Sequence, residues 1–496
     1  MPKCDVRNIV NGALLVAFVA ALAAVMARHE PWVDEVRAWQ IVVDSHSPGD
    51  VVSLSRHELH PALWYFALYA VKLLHGGIAG MQVAHLLFAT AVAALILYRS
   101  PFPMALRVAF ILSYVLFYEY GVISRNYAPG ILFLFAACSV SVRTGRGFLL
   151  AAILLALAMQ ANVFSWLIAA VYGALLIGRA LLSRRRGAQE PDARRIVAAS
   201  AIMLGGLFVS LAQFYPPSDF ASPIERVPLS GMELVASVAR ITRALFAVPV
   251  PDVHFWNTNQ VTASLGSVPA ALLGIALLAI SGFLLRRSPF AFTFFAAATL
   301  AVLLAVFVME TRAARHIDHF FIVLIMAMWL AYGEQDNVPE AEQRWRTLFL
   351  AIIAAVQFAG MAVSVCFDWQ LPFDRSREAA ACIRTNHLEN LPIFGYEDYN
   401  ASAVGAYLNR PVYYPQSGRT ETFVHQVQGR VSNLPPPQLA ASLASFVAGH
   451  PEGSIIVLSP AQRIPGGDQR LRVIGQFGEP SITGLTYTVI HVMPVK

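Results

Sequence analysis

The sequence Pro31-Trp32-Val33-Asp34-Glu35-Val36-Arg37 follows directly after the first apolar segment of the chain. The same loop continues to a second polar stretch, Arg56-His57-Glu58-Leu59-His60-Pro61. Charged side chains placed where an apolar helix leaves a bilayer are costly, and they usually mark a functional site. The two stretches therefore indicate that this loop binds or reacts with something.

The composition identifies the class of protein. Of the 496 residues, 57% are hydrophobic and only 13% are charged, which is too apolar for a soluble chain of this length. The apolar runs are about 17 to 25 residues long and lack polar alternation, which indicates membrane-spanning helices and not a β-barrel. The net charge of +6 comes from short basic clusters between these runs, so it reflects membrane topology and does not predict nucleic-acid binding. The four cysteines have no metal-binding spacing.

The first span, residues 8–27, sets the topology. Lys3 and Arg7 precede it, and it lacks a small-residue cleavage site, so we expect a retained helix with a cytoplasmic N-terminus. This orientation places Asp34 and Glu35 on the outer face. We therefore expect residues 28–78 to form an outer loop that contains juxtamembrane helices.

The segment from Pro61 to Gly77 is apolar but short. The side of the membrane on which the later basic clusters fall decides whether this segment crosses the bilayer. If it lies along the outer interface, the basic clusters at 99–107, 143–146, 184–195, 286–287 and 344–346 all fall inside. If it crosses, all of them fall outside, against the positive-inside rule. This predicts about eleven spans: 8–27, 79–98, 105–121, 126–142, 148–162, 163–182, 196–214, 261–285, 290–309, 316–333 and 347–367.

Three further segments then lie on the outer side with Asp34. They are 118–127, 310–319 and a second outer loop, 215–260, in which we predict an interfacial helix from Met232 to Phe246. After Phe367 the composition becomes polar, which predicts a membrane domain over 1–367 and a soluble periplasmic α/β domain over 368–496. Its predicted helices are 376–387, 401–408 and 437–448, and its predicted strands are 393–396, 411–414, 454–458, 471–477 and 485–492.

Each polar residue of the outer segments also has a structural interpretation. Spacing alone favours solvated loop residues for Asp34 and Glu35, whereas Arg125 and Arg312 are explained equally by interfacial side chains that extend to the membrane surface. His57 and His60 could hold a metal with Glu58, but helix capping or packing explains them as well. We expect Glu119, near a span end, to pair with Arg125 or Arg315.

Several of these motifs resemble the GT-C superfamily of membrane glycosyltransferases. The motifs are Pro31-Trp32-Val33-Asp34-Glu35, His60-Pro61-Ala62-Leu63-Trp64-Tyr65 and Arg125-Asn126-Tyr127. They are most similar to the branch that holds the protein O-mannosyltransferases and the aminoarabinose transferase of lipid A. Residues 392–396 and 407–414 resemble the α/β outer domain of many bacterial members. The family's second proline is Ala62 here, which leaves the subfamily and the acceptor open.

The resemblance implies an enzyme of the bacterial inner membrane that acts on the periplasmic face. It would transfer a sugar from a polyprenyl-phosphate carrier to a hydroxyl of a glycan, lipid or protein acceptor, with inversion at the anomeric carbon. Asp34 carries over as the catalytic acidic residue, with Glu35 as its partner, because glycosyl transfer needs a proton acceptor and cations for the leaving phosphate. The candidate substrate-binding residues are Arg37, His57, Glu58, His60, Arg125, Tyr127, Arg312, Arg315 and His316.

Two other functions stay open on sequence grounds. A lipid or sugar transporter could use the same basic cavity without chemistry, although the chain shows no paired repeat. A membrane scaffold whose outer domain binds a partner is a third hypothesis. No cofactor is certain, and a divalent cation is an option. Membrane lipids are expected partners.

Overall fold

The computed structural model describes residues 3–140, 145–187, 191–220, 230–333, 339–460 and 470–495. The chain up to residue 370 is helical, and the remainder combines helices with a six-stranded sheet. The helices of the first part are Lys3–Arg28 (α1), Val33–Asp44 (α2), Pro48–Ser55 (α3), Leu63–Leu73 (α4), Ile78–Arg99 (α5), Met104–Ile111 (α6), Tyr127–Ser139 (α7), Gly145–Ala158 (α8), Val163–Arg185 (α9), Ala193–Phe214 (α10), Gly231–Leu245 (α11), Gln260–Leu265 (α12), Ser267–Leu285 (α13), Pro289–Val308 (α14), Ala314–Ile317 (α15), His319–Gly333 (α16) and Glu340–Gln370 (α17), with a 3₁₀ turn at Arg56–Glu58 and a π-helix at Tyr114–Val122.

Nine helical segments within the described residues are long and apolar enough to cross a bilayer, which makes the chain a multi-pass membrane protein. They are Val6–Arg28, Ile78–Arg99, Met104–Val122, Val163–Arg185, Ala193–Phe214, Ser267–Leu285, Pro289–Val308, Ala314–Gly333 and Glu340–Gln370. The remaining two predicted spans correspond to the shorter helices α7 and α8. Of the predicted span 126–142, residues 141 and 142 lie outside the described ranges.

The apolar segment after Pro61 forms α4, which does not have the length of a span. It has 11 residues, and at about 1.5 Å per residue it covers only about half of a bilayer core of roughly 30 Å. Its buried Trp64 and Leu68 belong to one hydrophobic cluster with Val42 of α2 and Val51 of α3. The helix α4 is therefore shorter than a full span, and its position along the outer interface stays a prediction.

The C-terminal part is a small α/β domain. Its elements are Ser376–Thr385 (α18), Ile393–Tyr396 (β1), Asp398–Leu408 (α19), Val412–Tyr414 (β2), Arg419–Glu421 (β3), Pro436–Ala448 (α20), Ser454–Leu458 (β4), Leu471–Phe477 (β5) and Tyr487–Val492 (β6). The strand order is β3-β2-β1-β4-β6-β5, in which β1 runs parallel to β2 and β4 and the other neighbours are antiparallel. The predicted helices and strands are all present, whereas β3 was not predicted.

The α/β domain packs directly against the loop that follows α1. Val33 and Val36 of α2 form a buried apolar cluster with Ala403 and Ala406 of α19. The 215–260 segment joins the same surface, because the Gln428 amide donates to the Asp219 carbonyl at 2.8 Å. Residues 221–229 of this segment lie outside the described ranges. The three parts that were predicted to share one side of the membrane thus contact one another.

Candidate active site

Asp34 lies in the first turn of α2, where side chains from three distant segments meet. Its Oδ2 accepts a hydrogen bond from Arg315 Nη2 at 2.8 Å, and its backbone carbonyl accepts one from Arg125 Nη1. Arg315 is on the short helix α15, and Arg125 is in the turn between the π-helix and α7. The Asp34 side chain is 26% exposed, so the cluster is accessible and not sealed inside the protein.

The arginines determine the charge state of this cluster. Burial alone would raise the pKa of Asp34, but the guanidinium groups of Arg315, Arg125 and Arg37 outweigh it and hold the pKa below its ordinary value of 3.8. Asp34 is therefore a carboxylate at neutral pH. Burial, together with Arg125 and Arg315, lowers the pKa of His60 to about 3, so its imidazole is neutral and adds no charge.

Two tryptophans hold the Arg315 guanidinium in place. Its Cζ lies 5.7 Å from the ring centroid of Trp32 and 5.8 Å from that of Trp256, within the range of cation–π attraction. Trp256 is fixed in turn, because its Nε1 donates to Glu119 Oε2 at 3.0 Å. Glu119 also accepts a hydrogen bond from the Tyr114 hydroxyl at 2.9 Å. The predicted pairing of Glu119 with an arginine is wrong, since Arg315 is engaged by Asp34.

Several buried polar atoms beside Asp34 have no hydrogen-bond partner within the described part of the chain. They are Trp32 Nε1, His60 Nδ1, Arg125 Nε, the Tyr127 hydroxyl and Arg315 Nε. A buried donor left without a partner costs about 1 to 3 kcal/mol, so proteins seldom tolerate several together without a purpose. This arrangement of donors around a carboxylate fits an anionic, oxygen-rich ligand.

Glu35 has a different environment from Asp34, because its side chain is fully buried and fully engaged. Its Oε2 lies 3.0 Å from His29 Nε2 and accepts the Trp32 amide at 3.2 Å, and its Oε1 accepts the Ser124 amide at 2.6 Å. Glu35 was predicted as the catalytic partner of Asp34. In the structure it connects the end of α1, the start of α2 and the turn that carries Arg125.

Three of the predicted substrate-binding residues pair with each other or with the α/β domain. Arg37 Nε donates to Glu58 Oε1, and the guanidinium lies 4.7 Å from the ring centroid of Tyr399. The half-buried His57 ring packs 5.1 Å from that of His425. His57 and His60 therefore have different neighbours, and they do not form with Glu58 the metal site that the sequence left open. Among the described residues no three His, Cys, Asp or Glu side chains are placed to hold a metal ion.

The segment before α16 contains both engaged and exposed candidates. The side chain of Arg312 is exposed, and its backbone carbonyl accepts a hydrogen bond from Arg243 Nη1 at 2.7 Å. His316 Nδ1 lies 2.5 Å from Thr311 Oγ1, and its ring stacks on Phe164 at 5.1 Å. Tyr127 is buried, and its ring lies 6.0 Å from that of His316. Arg312 therefore stands apart from the Asp34 cluster.

Sequence reasoning missed the residues that support the site from the 215–260 segment. Asn257 Oδ1 accepts the Ala314 amide at 2.7 Å, which caps the helix that carries Arg315. Arg243 holds the preceding turn through the Arg312 carbonyl. Neither residue stands in a motif. Trp256 and Asn257 are nonetheless an aromatic and a polar residue between Pro251 and α12, and this could have marked them as candidates.

No protein-family model matches this chain, and no curated protein matches it. Among solved structures, the apo crystal structure of ArnT from Cupriavidus metallidurans aligns with a TM-score of 0.51 at 13% identity, covering 98% of this chain and 99% of ArnT. The ArnT structure bound to undecaprenyl phosphate aligns with a TM-score of 0.49 at 13% identity, covering 97% and 99%. The chain therefore shares the fold of ArnT, which agrees with the fold that the motifs led us to expect.

Proposed function

We propose that this protein is a membrane glycosyltransferase that moves a sugar from a polyprenyl-phosphate carrier to an acceptor hydroxyl. The observation that carries the proposal is the Asp34 carboxylate, which is ion-paired with Arg315 and lies beside buried polar atoms that have no partner among the residues that the structure describes. The GT-C fold and the motifs around Asp34 support the same assignment. The reaction would take place at the periplasmic face of a bacterial inner membrane.

Asp34 is suited to receive the acceptor hydroxyl. The hydroxyl oxygen would attack the anomeric carbon as the bond to the phosphate oxygen breaks, which inverts the configuration. Asp34 would accept the hydroxyl hydrogen bond and take the proton as this oxygen becomes positively charged in the transition state. Its lowered pKa keeps it ionised, and therefore able to accept, throughout the neutral range.

Arg125 and Arg315 are suited to the leaving group. The phosphate departs with the electron pair of the broken bond, and preorganised cations stabilise the charge that develops on it. An arginine can offer two parallel donors to phosphate oxygens, and the Nε atoms of both residues, which have no hydrogen-bond partner in the described ranges, are available for this. Arg315 would then exchange part of its contact with Asp34 for the phosphate, which frees the carboxylate for the acceptor.

The test is turnover with a defined donor panel. Purified protein in lipid nanodiscs would be incubated with several polyprenyl-phosphate sugars and with acceptor lipids, and the release of free polyprenyl phosphate would be followed. We expect release with at least one donor, and with Asp34→Asn we expect this release to be slower on the order of 10² to 10⁴-fold. Movement of a labelled lipid between leaflets without any release from any donor would contradict a transferase and favour the transporter.

A further inference from the structure

His29, the first residue after α1, lies fully buried between two carboxylates. Its Nε2 is 3.0 Å from Glu35 Oε2, and its Nδ1 is 2.8 Å from Asp368 Oδ2, near the end of α17. The Phe373 ring closes over the imidazole at 4.6 Å. The first and last membrane spans are thus joined by one histidine.

Both ring nitrogens face carboxylate oxygens, so both must donate if both carboxyl groups are ionised. Only the imidazolium form has two N–H donors. Burial alone would lower the pKa of His29, but Asp368 and Glu35 outweigh it and raise the pKa to about 10. His29 therefore carries a proton on each nitrogen across the neutral range.

Glu35 connects His29 to the residues of the candidate site. Glu35 accepts the Ser124 amide, and Ser124 directly precedes Arg125. Glu35 also accepts the Trp32 amide, and these two residues flank Asp34 in the chain. The position of Asp34 relative to Arg125 therefore depends on the carboxylate that His29 holds.

Asp368 anchors the other end of this contact. It accepts the Tyr118 hydroxyl at 3.0 Å, so the imidazole cannot shift without also moving the π-helix or α17. Without a positive charge on His29, two buried carboxylates would repel each other, and at least one would lose its partner.

We propose that His29 is a positioning residue of this site, which as an imidazolium clamps Glu35 to Asp368 and so fixes Asp34 relative to Arg125. The inference rests on the proposed transferase function, and it assigns the buried member of the acidic pair to geometry and not to chemistry. Within the described residues, the His29 ring forms its ion pairs with Glu35 and Asp368, and none with Asp34.

The neighbouring groups define which changes will alter the charge of His29. The charged and titratable side chains that face it or its backbone come from five elements, and they are Glu35 of α2, Asp368 of α17, Tyr118 of the π-helix, His85 of α5 and Arg377 of α18. Of these, only Glu35 and Asp368 are anions in direct contact with the ring. Removing either should lower the pKa of His29.

Kinetics of matched variants test the clamp. His29→Gln should lower kcat on the order of 10²-fold, because misplacing reacting groups by about 1 Å costs that much, with little change in KM for the donor. His254→Gln is the control, since His254 is a half-exposed histidine of the second loop that lies 3.9 Å from Glu479. Asp368→Asn keeps the histidine but removes an anion, which lowers the pKa of His29. As the solution is made alkaline, this variant should therefore lose its activity at a lower pH than the wild type does.

Hydrogen exchange tests whether His29 holds Glu35 to Asp368, and this measurement does not depend on turnover. At one neutral pH, Asp368→Asn should speed amide exchange in residues 31–37 and 122–126, and His254→Gln should not. This result would support the clamp even if the wild type released no polyprenyl phosphate, which separates it from the proposed function. If His29→Gln does not give a monodisperse protein, Tyr118→Phe provides a milder version of the same experiment.

Any of three results would contradict the role proposed for His29. The first is a pH profile of Asp368→Asn that superimposes on that of the wild type, together with unchanged exchange at Ser124. The second is a folded His29→Gln variant that keeps the wild-type kcat. A drop in thermal stability alone, with kcat and the pH profile preserved, would show a purely structural residue and would also contradict the proposal.

Discussion

Asp34 and Glu35 are neighbours in the sequence, yet their surroundings are opposite. Asp34 is partly exposed, and several polar atoms beside it have no partner in the described part of the chain, whereas Glu35 is fully buried and both of its oxygens are engaged. Successive residues on an α-helix point about 100° apart, so one turn of α2 can face a ligand site and the protein interior at once. The acidic pair thus consists of an accessible carboxylate, to which we assign the proposed chemistry, and a buried carboxylate that holds the surrounding backbone.

The largest expected effect is that of Asp34→Asn on turnover. The amide keeps the size of the side chain but cannot take a proton, so transfer should fall on the order of 10² to 10⁴-fold. The measurement is polyprenyl phosphate release under single-turnover conditions, with elution volume and thermal stability as controls for folding. If Glu35→Gln lost more activity at unchanged stability than Asp34→Asn, the two roles would have to be exchanged.

Arg315→Gln should lower kcat on the order of 10²-fold, because it removes one cation from the leaving phosphate. It should also move the acid limb of the pH profile. Loss of this cation lets the pKa of Asp34 rise, so activity would disappear at higher pH as the solution is made acidic. A profile identical to the wild type below neutral pH would contradict the assigned pairing with Asp34.

Glu35→Gln should lower stability more than Asp34→Asn does, and it should also lower kcat because Glu35 holds Asp34 relative to Arg125. Removing one member of a buried ion pair costs on the order of 3 to 5 kcal/mol, because the remaining charge loses its partner. Thermal unfolding in nanodiscs should show a clear decrease in Tm, whereas Asp34→Asn should show a smaller one. Equal decreases in Tm for the two variants would contradict the difference between the buried Glu35 and the accessible Asp34.

Asn257→Ala should have an intermediate effect by loosening the helix that carries Arg315. Loss of such a cap costs about 1 kcal/mol, which corresponds to about fivefold in donor KM. Asn257→Asp keeps the acceptor oxygen and is the matched control. The role assigned to Asn257 fails if Ala and Asp variants bind the donor equally.

Arg312→Gln should have the smallest effect. An exposed side chain contributes within about 0.5 kcal/mol, or about twofold, when it makes no specific contact. Donor titrations of this variant and of Arg315→Gln, done side by side, give the measurement. A loss comparable to that of Arg315→Gln would return Arg312 to the phosphate site that the sequence suggested for it.

Much of the fold could be predicted because its causes are local. Apolar runs predicted the spans, and β-branched runs marked five of the six strands. The strand β3 is three residues long and only partly buried, so it carries little signal. The candidate site was only partly visible, because Asp368 and His29 are 339 residues apart and only the fold brings them together.

The contact between α2 and α19 has a consequence for how the chain is made. The Tyr407 hydroxyl donates to the Pro31 carbonyl at 2.7 Å, and Gln40 Nε2 donates to the Ser402 carbonyl at 2.9 Å. Synthesis begins at the N-terminus, so the first loop must wait for nearly the whole polypeptide before these bonds can form. A nascent chain with all of its spans inserted would still lack these contacts, so the first loop would reach its final position only in the last stage of folding.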